Sequence, residues 1–244
     1  MKKLDWKNIW INTRLVLMFG LVIFLFSFTS KRNSERKITK SVVVFEGDEN
    51  VFVTNETVNK LLIENKTNAQ SIRKDKLDLN KLERAIDNHN MIEKSQVFVS
   101  IDGVLKAVVK QKVPIVRVFD ESGSFYIDYK GVRMPLSTVY TARVPLVTGE
   151  ITDKNKEELN KLFRYIFDDP FLKRNIIGIQ IFPNGSLLMT NRNFNYEIDF
   201  GRTINVERKF NNYKAFFQKA ALDSTLYNYK RINLRFTQQV VCTK

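Results

Sequence analysis

One histidine and one cysteine occur among 244 residues, and those two counts close most of the routes by which side chains do chemistry. Catalytic triads and multi-histidine metal sites need more than His89, and zinc ribbons or iron–sulfur clusters need more than Cys242. His89 falls at the end of a predicted helix, where an imidazole serves as a capping or surface group. Cys242 reads as a small residue in a terminal strand, and no intramolecular disulfide is open to it. Carboxylates come in adjacent pairs at Asp120-Glu121, Glu157-Glu158 and Asp168-Asp169. Two carboxyl groups about 5 to 9 Å apart in a cleft can hydrolyse glycosides, so a membrane-anchored cell-wall hydrolase stays open as an alternative. Each pair also has a local role: a turn, the first turn of a helix, and a stop before Pro170. Ser122 and Ser124 flank Gly123 as turn residues, and the chain has neither a glycine-rich phosphate loop nor a G-x-S-x-G elbow. No metal or cofactor is expected, and the first reading is a protein that binds rather than one that turns over substrate.

Binding needs a surface, and the stretch from Tyr229 to Cys242 supplies a candidate. Its β-propensity is high, and Ile232, Leu234 and Phe236 alternate with Asn233, Arg235 and Thr237. A strand in last place is often an edge strand, with unpaired N–H and C=O groups. Protective charges are sparse, since Arg235 is the only one between Ile232 and Cys242. The expected use is addition of a strand from another chain along Ile232, Asn233, Leu234, Arg235, Phe236, Thr237, Gln238 and Val240. The competing reading places this strand inside the sheet, paired on both sides.

At the other end, Leu15 to Phe28 (LVLMFGLVIFLFSF) carries no charge, and sixteen uncharged residues separate Arg14 from Lys31. As a helix those sixteen reach about 24 Å, short of a hydrocarbon core of about 30 Å. Extension back through Ile9, Trp10 and Ile11 gives about twenty residues, with Arg14 snorkelling and Trp6 and Trp10 in the interface. Leu15, Phe19, Leu21, Phe24 and Phe28 then anchor the chain in lipid. A cleaved signal peptide competes with this reading, but Ser27-Phe28-Thr29-Ser30 is a poor cleavage site. A buried core helix competes too, although large side chains spread around the whole circumference. Four Lys/Arg precede the span and five follow within ten residues, so charge does not set the orientation. The long following domain favours a signal anchor with its bulk outside the cytoplasm and residues 1–14 inside.

The hydrophobic content of 43% supports packed cores, and the formal charge of +14 would ordinarily raise nucleic acid as a partner. Here the basic residues are spread out, no recognised nucleic-acid module appears, and a domain beyond the membrane meets no cytoplasmic DNA. Anionic lipid headgroups near Lys31 to Lys40 are the cheaper account.

The segment 31–40 reads as a tether beside the span at 15–30. Ser41 to Phe45 then forms a strand ending at Gly47-Asp48. Thr54 caps a helix carrying Val58, Leu61 and Leu62, and beyond a polar stretch Asp78 caps another with Leu79, Leu82, Ala85 and Ile86 on one face. Val97, Val99 and Ile101 alternate, Asp102-Gly103 turns, and Leu105, Ala107 and Val109 return. The order β-α-α-β-β closes a core as two helices on a three-stranded sheet, with a boundary near Val116. Beyond it come a hairpin turning at Lys130-Gly131, a short strand at Val144–Val147, and a helix capped by Asp153 whose apolar face is Leu159, Leu162, Phe163, Ile166 and Phe167. Strands at 176–182, 186–190 and 195–200 follow. A helix with Val206, Phe210, Tyr213 and Phe217 leads to the terminal strand, its Lys209 and Lys214 interleaved with that apolar spacing. The fold class is α+β, with a mixed, mainly antiparallel sheet in the second region.

Several short motifs occur in a distinctive order. Ala107 to Phe119 (AVVKQKVPIVRVF) is a strand running into Pro114. Tyr126-Ile127-Asp128 with Gly131 follows, then Val144-Pro145-Leu146-Val147-Thr148-Gly149, and finally Ile232-Asn233-Leu234-Arg235-Phe236. This layout resembles the bacterial FtsQ/DivIB cell-division family over nearly the whole chain. The resemblance implies a POTRA-like domain over 41–116, the family's β domain over 117–244, and a non-enzymatic scaffold at the division septum in the cytoplasmic membrane. It also implies FtsB- and FtsL-like partners, with a segment of FtsB taken up by the final strands, and further division proteins contacting the POTRA-like part. Arg235 matches the family's arginine and Phe236 its tyrosine, without the hydroxyl. Gln238, Gln239, Val240 and Val241 stand where the family has small, glycine-containing residues. A POTRA-bearing assembly or secretion subunit is a further alternative.

Overall fold

The structure, a computed structural model, describes residues 6–35, 37–47, 52–63, 77–121 and 123–244. The expected turn residue Asp48, the polar stretch at 65–76 and Ser122 lie outside the described residues. Two compact units are present, one formed by residues 1–48 and 53–111 and the other by 49–52 and 112–244.

In the first unit, α1 (Trp6–Ser34) runs past the uncharged stretch on both sides. Neither Arg14 nor Lys31 breaks it, because both are good helix formers, and Lys31 and Arg32 in the last turn favour the negative end of the dipole. The apolar portion, Trp10–Asn33, has a mean hydropathy of 2.0 and is 0% buried. At about 1.5 Å per residue it reaches roughly 36 Å, enough to cross a bilayer. The core-helix alternative fails on that exposure: the described side chains from Trp10 to Phe28, including Leu15, Phe19, Leu21 and Phe24, pack against nothing that buries them.

The β-α-α-β-β order follows, with β1 (Lys40–Glu46), α2 (Asn55–Ile63), α3 (Leu79–Asp87), β2 (Ile92–Val99) and β3 (Val104–Gln111). The sheet order is β1-β3-β2, with β1 parallel and β2 antiparallel to the central β3. Both expected caps form: the Thr57 amide donates to Thr54 Oγ1 at 3.2 Å, and the Lys81 amide donates to Asp78 Oδ1 at 3.0 Å. Val58, Leu62, Leu82 and Ile86 meet Leu105, Ala107 and Val109 in a buried aliphatic core. Gly103 holds φ +78°, and a Cβ there would come within 2.7 Å of the Lys37 carbonyl, so the hairpin requires glycine. Ile101, expected inside the strand, sits exposed in that turn.

The second unit is a nine-stranded mixed sheet. Its strands are β4 (Pro114–Asp120), β5 (Gly123–Asp128), β6 (Arg133–Met134), β7 (Leu146–Thr148), β8 (Ile176–Ile181), β9 (Leu187–Asn191), β10 (Glu197–Gly201), β11 (Arg231–Asn233) and β12 (Val241–Thr243). Their order is β12-β11-β10-β9-β8-β7-β4-β5-β6. The pairs β4–β7, β7–β8 and β10–β11 are parallel and the other five antiparallel. Val116, where the sequence placed a boundary, lies inside β4, and Pro114 opens that strand, a position where its missing donor costs no ladder bond.

Three helices belong to this unit: α4 (Lys156–Asp168), α5 (Pro170–Asn175) and α6 (Val206–Leu222). Asp153 does not cap α4. Asn155 occupies that place, and its side chain instead accepts from the Thr152 amide at 2.8 Å, tightening the turn before the helix. Asp169 ends α4 and begins α5, accepting from the Phe171 and Leu172 amides at 3.0 Å, with Pro170 at the first helical position.

Candidate functional site

The single terminal strand expected over Tyr229 to Cys242 is two short strands joined by a loop. Asn233 is the reason: its Oδ1 accepts from the Arg235 amide at 2.9 Å, a side-chain turn that bends the backbone out of the ladder. Ile232 and Asn233 therefore lie in β11, between β10 and β12, with both sides occupied. Leu234 is buried, and its amide donates to the Asp199 carbonyl at 2.8 Å. Arg235, Phe236, Thr237, Gln238 and Val240 form the loop. Phe236 does not join Ile232 and Leu234 in the core, being 52% exposed against 0% and 1%. The open edge belongs to β12, whose only neighbour among the described residues is β11. Along such a strand alternate residues aim their N–H and C=O groups outward.

The loop is fixed by polar contacts. Arg235 Nε donates to Asp199 Oδ1 at 2.9 Å, and Asn212 Nδ2 donates to the Thr237 carbonyl at 2.9 Å. Beside it a cavity of about 370 Å³ is lined by Arg202, Asn205, Lys209, Arg235 and Thr237 among others. Lys209 is 4% exposed, and its Nζ donates to the Phe200 and Arg202 carbonyls at 2.9 and 2.8 Å. Burial pushes this ammonium's pKa down; Asp199 opposes that shift and Arg235 adds to it. The sequence places Lys209 among residues spaced along a helix, and helical periodicity carries no sign that its amine turns inward.

His89, Ser124 and Asp168 each make a hydrogen bond within the fold. His89 Nδ1 accepts from the Met91 amide at 3.3 Å, Ser124 Oγ accepts from Arg117 Nε at 2.7 Å, and Asp168 accepts from the Tyr129 hydroxyl at 2.9 Å. Burial pushes Asp169 up, but the Lys214 ammonium and two backbone amides outweigh it and hold the carboxyl below its usual range. A second cleft, of about 310 Å³, brings Asp120, Glu150 and Asp153 near Arg133 and Lys156. Among the described residues no group of three or more His, Cys, Asp or Glu could hold a metal ion. Burial alone pushes the Cys242 thiol up, away from the reactive thiolate.

Among the described residues one helix is long and apolar enough to cross a bilayer, and α+β units with mixed sheets follow it, the layout of a membrane-anchored protein. The family described as "FtsQ/DivIB, C-terminal related" matches residues 113–243, a span that takes in all nine strands of the second unit. The chain belongs to this family, and it is an FtsQ/DivIB-like cell-division protein. The major extracytoplasmic domain of the trans isomer of the cell-division protein DivIB from Geobacillus stearothermophilus is a distant structural neighbour. It covers 46% of this chain and 95% of its own at 15% identity, with a TM-score of 0.31. No curated protein matches.

Proposed function

We propose that this protein is a septal scaffold with its amino terminus in the cytoplasm and its bulk outside, and that it holds FtsB- and FtsL-like partners by accepting a strand along the outer side of β12. The organisation is a tail, a span and tether, a POTRA-like domain and the β domain, with the POTRA-like part available to other division proteins. The observation that carries the reading is the end position of β12 in the nine-stranded sheet. Val241, Cys242 and Thr243 bring no charge to that edge, so backbone pairing meets no repelling side chain. Phe236, Thr237, Gln238 and Val240 flank it and would supply side-chain contacts to the added strand.

The test uses the full chain in detergent micelles with the periplasmic segment of an FtsB-like partner. Partner addition slows amide exchange at Val241–Thr243, and unchanged exchange there at saturating partner would sink the proposal. Val241→Pro and Cys242→Pro sharpen it. One of these removes an amide facing the incoming strand and the other an amide facing β11, so one variant loses capture with its thermal unfolding intact.

A further inference from the structure

The two edges of the small sheet differ. β2 carries Glu93 and Lys94, and its pairing with β3 shifts register between Ile92 and Lys94, a bulge that spoils an edge as a template. β1 pairs with β3 over seven residues without a shift, and no charge lies between Lys40 and Glu46. Burial differs in the same sense. On the helix-covered face, Val97 and Ser95 of β2 are buried, as are Ala107 and Val109 of β3, whereas Val43 and Phe45 of β1 stay half-exposed. Val44, on the opposite face, is 48% exposed. Among the described residues the layer is finished on the β2 side and unfinished on the β1 side.

The strand's own sequence says what fits. Lys40-Ser41-Val42-Val43-Val44-Phe45-Glu46 is self-complementary when read antiparallel about Val43. Lys40 then faces Glu46 of the second copy and the reverse, Val42 faces Val44, and each pair shares a face of the sheet. Five residues separate the end of α1 from Lys40, so β1 lies within about 20 Å of the helix end. Copies sharing a bilayer meet at raised effective concentration. We infer that β1 pairs with β1 of a second copy of this chain, an isologous two-fold contact that joins two three-stranded sheets into one of six. This contact is independent of the β12 edge.

The test is charge reversal by mixing, on full-length chains in detergent micelles at physiological ionic strength, read by analytical ultracentrifugation. Lys40→Glu places like charges opposite each other at both ends of the pairing, and so does Glu46→Lys. Each alone weakens dimerisation roughly ten- to a hundred-fold, by loss of two favourable pairs and gain of two repulsive ones. Mixed one to one, the two variants restore it, because every charge again faces its opposite. In a Cys242→Ser background, Val42→Cys and Val44→Cys chains cross-link to each other on oxidation far more than either does to itself. Monomers in the unaltered chain, equal dimerisation in single and mixed charge variants, or cross-linking no greater in the mixture would each overturn the inference.

Discussion

The two units solve the same packing problem with different materials. In the small one the buried side chains are mainly aliphatic: Val58, Leu62, Ile86, Leu105, Ala107 and Val109 have no polar tip to satisfy, and the buried Ser95 hydroxyl donates to Asp87 Oδ1 at 2.7 Å. Under the large sheet the aliphatic core also takes in the rings of Phe163, Tyr196, Phe200, Phe210 and Tyr213 and is laced with polar groups. Tyr196 and Tyr213 share a hydroxyl hydrogen bond of 2.9 Å, and Asn191 Nδ2 donates to the Tyr213 hydroxyl at 3.0 Å. Burial pushes both phenols' pKa up. Buried rings add large contact areas at single positions, and each buried hydroxyl needs a hydrogen-bond partner.

That contrast can be broken most severely at Phe210, fully buried and ring-packed against Phe200 and Tyr165. Phe210→Ala should destabilise the large unit by about 3 to 5 kcal/mol. Two calorimetric transitions, with only that of the large unit lowered, are expected. Tyr213→Phe removes no volume to speak of but strips Asn191 and Tyr196 of a shared partner, a loss of about 1 to 3 kcal/mol by chemical denaturation. Lys209→Met tests the other polar insertion and should cost a similar 1 to 3 kcal/mol, since the Phe200 and Arg202 carbonyls lose their donor.

A smaller effect depends on pH. Asp169 is depressed below the ordinary carboxylate range, so its contribution is complete at neutral pH and is lost as pH falls through its folded pKa. Lys214→Met removes the ammonium paired with it, and the fall in Tm between neutral and acidic buffer should shrink in that variant. Cys242→Ser, at a half-buried edge position, should leave stability within about 0.5 kcal/mol. Its parent thiol should alkylate slowly at pH 8, checked by labelling against an unfolded control.

Legibility in the sequence followed the range of the interaction. The caps at Thr54 and Asp78 depend on four consecutive residues, and the apolar faces of α2, α3 and α4 on one helical period, so both could be read. Asp169-Pro170 was readable as a stop but not as a start, because α5 is too short to show a period. The split between β11 and β12 turns on the Asn233 side chain, which β-propensity averaged over Tyr229 to Cys242 hides. Lys209 was the least visible, since its burial is decided by the Phe200 and Arg202 carbonyls at the end of β10, outside the helix whose period it shares. The same split redirects the candidate site: the Leu234 amide is spent inside the protein, so proline there would injure the fold rather than report on a partner.

Strands β10 and β11 are sheet neighbours, yet all of α6 and the turn at Leu226–Asn228 lie between them in the chain. Closing so long a loop for a three-residue parallel pairing carries an entropic cost, which packing of the intervening helix reduces. Among the described residues β12 hydrogen-bonds to β11 alone, so the outermost ladder of the sheet rests on that one closure.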